Sequence, residues 1–404
     1  MENNIKISFI IPTYNNLQHL KNVYSSIKKH APQSEVILYD DASIDGTWDW
    51  IWNLAEGHQH REVKAYRSEE RVGHTILYDK GINLATNEIV GILHADMIIG
   101  PNYIENMVKH LKPKNVVCAT RIEPPLHPKG KEKIIENFGI EFNSLNIDKF
   151  EEYVINNQIQ EKNKITKGMF APWIIYKKDF QSIGGHDSLF APFPYEDSDI
   201  FQRWILNGYN LIQSRDAFVY HLTCRGHRWN DQVGKDDDYY KVVSQRASRN
   251  YLRKWGNWIR NNEYQYPIIS HKYDIGFIIR NCNSSLLELL EPWCENIYID
   301  NILIKNYINK EQENTLFDLS KRVKDIKEIS NNDIIIEFDC NKFSQESFNI
   351  VQNLSDIITN SGGVGEFELD IFKIKINNIK IYENNLIYID NEWYQSKLIK
   401  NNKF

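Results

Sequence analysis

Apolar positions over the first 120 residues fall into two alternating patterns. Short β-branched runs at Ile5–Ile11, Glu35–Tyr39, Val63–Tyr66, Ile89–Leu93 and Asn115–Thr120 read as strands. Between them, stretches at Leu17–Lys29, Thr47–Ala55 and Thr75–Ala85, and one opened by Pro101, read as helices. This alternation predicts right-handed βαβ units and a parallel sheet buried on both faces. Such sheets bind ligands at the carboxyl ends of their strands. The positions to watch are therefore Pro12-Thr13-Tyr14-Asn15, Asp40-Asp41 and His94-Ala95-Asp96.

Residues 121–165 break the rhythm and read as a polar insertion with one or two weak helices. Order returns with a strand at Ala171–Tyr176 carrying Trp173, a short helix ending at Gly184-Gly185, and a helix at Glu196–Leu206. A strand end at Phe218–His221 and a basic helix near Asp238–Ile259 follow. Gln265–Tyr273, with Pro267, reads as a linker between domains at 1–265 and 274–404. The second domain is expected to be a smaller α/β unit. Its strands are Ile275–Ile279, Ile297–Asp300, Ile334–Asp339 and a group near 366–389. Its helices are Ser284–Trp293, a stretch near Thr315–Val323, and Gln345–Ser361 closed by Gly362-Gly363. No repeat of fixed period, G-x-G-x-x-G or P-loop is present, so nothing in its sequence assigns it a cofactor. It is the candidate surface for homo-oligomer formation.

Composition narrows the function classes. Apolar residues are 42% and charged residues 25%, an ordinary globular balance. The net charge of −6 argues against nucleic acid as a partner. Residues 274–404 carry −7 and the remainder +1, so the first domain tolerates an anionic small molecule. The five cysteines are scattered without C-x-x-C spacing, which fits a reducing compartment. No apolar run approaches the roughly 18 residues that span a bilayer, and Ile7–Ile11 is too short for a signal peptide. The expectation is a soluble, cytoplasmic protein without a transmembrane segment.

Five elements together resemble family 2 glycosyltransferases, over about residues 5–260. They are Ile10-Ile11-Pro12-Thr13-Tyr14-Asn15, Asp40-Asp41-Ala42-Ser43-Ile44-Asp45-Gly46-Thr47, His94-Ala95-Asp96, Glu196-Asp197-Ser198-Asp199 and His221. The resemblance implies a GT-A fold: a Rossmann-like, mostly parallel α/β catalytic domain. It also implies a nucleotide-diphosphate sugar donor (UDP by family habit), Mn2+ or Mg2+, and transfer with inversion to a hydroxyl on a glycan, lipid-linked or protein acceptor. Two alternatives stay open. One is a retaining transferase of the same fold; the other is a catalytically inactive sugar-nucleotide-binding or scaffold module.

By the same resemblance Pro12, Thr13 and Tyr14 line the base pocket, and Asp41, with Asp40 beside it, accepts from the base. Asp45 reads instead as a helix N-cap. Arg71 falls near the base or diphosphate. A departing diphosphate needs a Lewis acid; the family uses Asp-x-Asp, and here His94 replaces the first Asp while Asp96 keeps the second. Asp96 and His221 are the expected metal ligands, with His94 and Ala95 on the donor. Imidazole suits Mn2+ better than Mg2+. Arg225 and Arg228 are candidates for phosphate oxygens, since the guanidinium fork matches them. Trp173 either stacks on a sugar face or packs in the core. An inverting transfer needs a carboxylate to take the acceptor proton. Asp197 is the candidate base, with Glu196 beside it. The dipole of the helix they open is expected to lower the Asp197 pKa.

Overall fold

The computed structural model describes residues 6–56, 62–229 and 232–381. The described chain divides into two compact units. One comprises residues up to 243 with Asn261–Pro267, the other Ser244–Arg260 with residues from Ile268 onward.

The first unit is built on a ten-stranded sheet. Its strands are β1 (Ile7–Thr13), β2 (Glu35–Asp40), β3 (Val63–Arg67), β4 (Ile89–Ile92), β5 (Met97–Ile99), β6 (Asn115–Glu123), β7 (Lys133–Ile135), β8 (Ile165–Thr166), β9 (Trp173–Tyr176) and β10 (Asn210–His221). They lie in the order β3-β2-β1-β4-β9-β6-β10-β5, with β7 on β6 and β8 on β10. All seven residues of β1 and all six of β2 are buried, the continuous burial of a parallel strand covered on both faces. Helix α1 (Leu17–His30) turns Leu20, Val23, Tyr24 and Ile27 onto the sheet and ends with Lys28, Lys29 and His30, which suit its negative C-terminus. Helices α2 (Thr47–Glu56) and α3 (His74–Leu84) complete the βαβ repeats. Asp45 accepts from the N–H groups of Thr47 and Leu17, at 3.1 Å each, tying the starts of α1 and α2 together.

The sheet is largely parallel, but β9 runs antiparallel to β4 and β6, and β5 and β8 run antiparallel to β10. The sequence pattern gives no sign of β5, β7 or β8, and only the end of β10. The polar opening of β10, Asn210-Leu211-Ile212-Gln213-Ser214-Arg215, lacks a strand signature. Nor does β6 stop at Thr120; it continues three residues into the expected insertion. The remaining helices before residue 243 are α4 (Tyr103–Val108), α5 (Ile147–Glu161), α6 (Lys177–Ser182), α7 (Glu196–Leu206) and the start of α8 (Asp238–Trp255).

The second unit has six strands: β11 (Ile275–Arg280), β12 (Asn296–Ile299), β13 (Val323–Asp325), β14 (Ile334–Asp339), β15 (Gly365–Leu369) and β16 (Phe372–Ile376). Their order is β13-β12-β11-β14-β16-β15. The first four are parallel, and β16 is antiparallel to β14. This is the order and polarity of β3-β2-β1-β4-β9 in the first unit. The topology repeats although the sequence shows no period. Five helices were expected otherwise or not at all: α9 (Ser284–Leu290), α10 (Ile304–Glu311), the four-residue α11 (Leu319–Arg322), and the pair α12 (Gln345–Gln352) and α13 (Leu354–Asn360), read from the sequence as one helix. The part of the expected strand group at 382–389 lies outside the described residues.

Candidate active site

The carboxyl ends of β1, β2 and β4 meet at one cleft, lined by Pro12, Thr13, Tyr14, Asp41, Arg71, His94, Ala95, Asp96 and Arg225 among others. A wider cavity of about 590 Å³ adjoins it, sharing Tyr14, Asn16, Arg71, Arg225 and Gly226. Nine of the residues marked in the sequence therefore converge, from five segments of chain.

The floor is fixed by backbone contacts. The Asp41 N–H donates to Thr13 O at 2.9 Å, joining the two strand ends. The Asp41 carboxylate accepts from the N–H groups of Val72 and Gly73, at 2.8 and 2.9 Å. Burial pushes its pKa up, against those two bonds and Arg71. The Arg71 guanidinium sits 3.9 Å from the Tyr14 ring centroid and 4.7 Å from that of Tyr239, a cation held between two aromatic faces. Asp40 is elsewhere: it is wholly buried, accepts from the Ser43 N–H and pairs with Arg67 at 3.1 Å. That is a turn-forming role, off the cleft.

Gly73 closes one wall. Its φ is +85°, and a Cβ there would lie 2.2 Å from Pro192 Cβ, so only glycine allows the contact. Thr75 Oγ1 donates to Pro192 O at 2.9 Å across the same seam. The seam sets His74 against the start of α7, where its Nε2 lies 2.7 Å from Glu196 Oε1. Burial alone would raise the Glu196 pKa, but the charge and hydrogen bond of His74 hold it below its ordinary value. Asp197 next to it behaves oppositely: burial and the Glu196 charge raise its pKa to about 7. The expectation of a lowered value is thereby corrected. The field of a helix N-terminus is weaker than burial beside a second carboxylate.

On the far side, the antiparallel pairing of β5 with β10 sets His221 opposite Met97 and therefore beside Asp96. His221 Nε2 lies 3.6 Å from Asp96 Oδ1. His94 joins them: one ligand atom from each of His94, Asp96 and His221 lies within 4.8 Å of the others. Burial, reinforced by the neighbouring histidines 221, 74 and 227, keeps the His94 pKa well below its ordinary value, so its imidazole is neutral and offers a lone pair. Asp96 Oδ2 accepts from the Arg225 N–H at 3.2 Å. Two imidazoles and one carboxylate suit a borderline divalent ion such as Mn2+ better than Mg2+, which prefers all-oxygen shells. The donor set thus fits a cation.

Besides Asp40, two marked residues lie off the cleft. Trp173 is wholly buried, its ring 5.2 Å from Trp204 and 5.9 Å from Phe180; it is core, not a sugar platform. Arg228 pairs with Asp236, its Nε 2.6 Å from Oδ1. Sequence reasoning passed over His74, Tyr78, Phe193 and Gly226, all of which line the cleft. His74 had one legible signal, its position after Gly73 at the opening of α3.

Residues 8–176 match the family described as glycosyl transferase family 2. Among curated relatives, a dolichol-phosphate mannosyltransferase of Pyrococcus furiosus is 27% identical over 110 residues, 27% of this chain and 30% of the relative. An uncharacterized glycosyltransferase of Mycoplasma genitalium is 32% identical over 110 residues, 26% of this chain and 37% of the relative. The chain thus spans about a third of the length of these relatives. Among solved structures, a mannosyltransferase of Pyrobaculum calidifontis in complex with GDP-Man and Mn2+ is 19% identical, with TM-score 0.42 over 61% of this chain and 63% of that one. No helix among the described residues is long and apolar enough to cross a membrane.

Proposed function

From the match of residues 8–176 to glycosyl transferase family 2, we propose that the chain transfers a sugar from a nucleotide-diphosphate sugar to an acceptor hydroxyl with the help of a divalent cation. The observation that carries this reading is the His94–Asp96–His221 cluster, set in a cleft with Tyr14, Asp41 and Arg71 and facing the Glu196–Asp197 pair's partner His74. UDP is the favoured nucleotide, Mn2+ the favoured ion, and inversion the favoured outcome.

In this reading Tyr14 and Arg71 stack against the base, with Pro12, Thr13 and Asp41 as its floor. His94, Asp96 and His221 hold the cation, which supplies Lewis-acid stabilisation to a departing diphosphate. Arg225, whose backbone N–H braces Asp96 and whose guanidinium lies 3.2 Å from Glu141, lines the same cleft and is the candidate for the phosphates. Asp197 takes the acceptor's proton. With its pKa raised to about 7 it is a base matched to neutral pH and strong enough to hold the proton it receives. Glu196, tied to His74, stays ionised and sustains that raised value.

The test is a thermal-shift screen of UDP-, GDP- and dTDP-sugars with and without Mn2+, followed by assay of transfer in EDTA. A donor at about 100 times its Kd stabilises by roughly 2.7 kcal/mol. Stabilisation by one nucleotide class only with Mn2+, and loss of transfer in EDTA, are expected. Undiminished transfer in chelator overturns the cation role, and a product of unchanged anomeric configuration overturns inversion.

A further inference from the structure

We propose that Glu123 is a positioning residue for the metal centre, holding His221 with its Nε2 lone pair turned toward Asp96. The inference rests on the reading of His94, Asp96 and His221 as cation ligands.

Glu123 is the last residue of β6 and is 1% exposed. The parallel register of β6 with β10 pairs Ile122 with Tyr220, so Glu123 and His221 follow side by side. Glu123 Oε1 lies 3.0 Å from His221 Nδ1 and 2.7 Å from Arg121 Nη1, and its Oε2 lies 2.9 Å from Lys133 Nζ. Arg121 is itself buried, with its guanidinium 3.6 Å above the Phe170 ring and 3.6 Å from Glu132.

A buried carboxylate between a guanidinium and an ammonium is held as the anion, and an anionic carboxylate only accepts hydrogen bonds. The His221 nitrogen facing it must therefore carry the proton. Nδ1 is the donor, and Nε2 is left with its lone pair. That lone pair lies 3.6 Å from Asp96 Oδ1, so two electron-pair donors face each other across a short gap. Such an arrangement is unfavourable unless a proton or a cation lies between them. Asp96 is held in turn by the Arg225 N–H at its other oxygen. The outer carboxylate thus does what such partners do for metal-bound histidines: it sets the tautomer and fixes the ring. Arg121 and Lys133 set the charge of Glu123 and do not touch the ring.

The experiment uses the full chain and free Mn2+, followed by the EPR signal of unbound ion. Glu123→Gln should weaken Mn2+ binding about 10- to 100-fold, the usual effect of losing such a partner. Lys133→Ala, which removes a partner of Glu123 on the side away from His221, should lower Tm but change Mn2+ affinity by less than about threefold. In metal-free wild-type protein labelled with 15N-histidine, the His221 signal, assigned by its loss in His221→Ala, should report a proton on Nδ1 whether or not Nε2 also carries one. The NMR arm needs no Glu123 variant to fold. An Nδ1 without a proton, an unchanged affinity in Glu123→Gln, or equal losses in Glu123→Gln and Lys133→Ala overturns the proposal while leaving the cation reading intact. If the wild-type protein binds no Mn2+, the cation reading falls, and this inference with it.

Discussion

Asp197 and His94 are the residues whose chemistry depends most on their surroundings. Asp197 opens a helix, which favours the anion, yet burial beside Glu196 raises its pKa to about 7. Two consequences follow from the sign of that shift. As a base it acts when deprotonated, so transfer should rise with pH through about 7, seen as the acid limb of the kcat profile. For stability, the folded state keeps this proton between the ordinary value of 3.8 and about 7, where the unfolded chain has lost it, so Asp197 costs stability as pH rises through that window. Asp197→Asn should therefore lower transfer at least about 100-fold and shift nucleotide affinity by less than about tenfold. The variant should melt above wild type at pH 8, with the gap closing toward pH 5; calorimetry at the two pH values decides. In the proposed cation site, the His94 imidazole favours Mn2+ over Mg2+. His94→Asp should raise the ratio of activity in Mg2+ to activity in Mn2+, read from metal titrations of chelated protein.

Among elements, the strand ends β1, β2 and β4 were legible because a strand buried on both faces reads as an unbroken apolar run, and chemistry at its end stands out against it. The resemblance named His221, but no local pattern shows how it is brought to Asp96. His221 reaches Asp96 only because the three-residue β5 pairs antiparallel with β10, and three residues are too few to show a period. Glu123 was hidden because β6 runs on past Thr120 through Arg121-Ile122-Glu123, whose charges read as loop although all three residues are buried. The contact between the β3–α3 loop and the segment before α7 depends on one glycine. Gly73→Ala would drive a methyl group into Pro192 and force a positive φ on alanine. It should lower Tm, as calorimetry would show, and separate His74 from Glu196.

For the molecule as a whole, the chain builds the same five-strand order twice, once with the cleft residues at its strand ends and once with Arg280, Asn281, Asp300 and Asp339 there instead. Residues 244–260 belong by contact to the second unit: Leu252 lies in its core, and Arg253, wholly buried, pairs with Glu291 and Glu311. A fragment ending at residue 265 would carry that buried cation and its apolar neighbours without partners. We expect it to aggregate more than one ending at 243, as gel filtration of the two would show; equal behaviour would mean that the contacts of 244–260 are dispensable. The sequence by itself determined the βαβ rhythm and the strand ends at Thr13, Asp41 and Asp96 that meet at the cleft, because burial period and residue type are local properties. Tertiary structure alone decided that Asp40 and Trp173 are buried away from the cleft, that His94 joins Asp96 and His221, that Glu123 stands behind them, and that Asp197 holds its proton near neutrality. Each of these depends on what distant segments bring within a few ångströms, and on how much water they exclude, which no local pattern encodes.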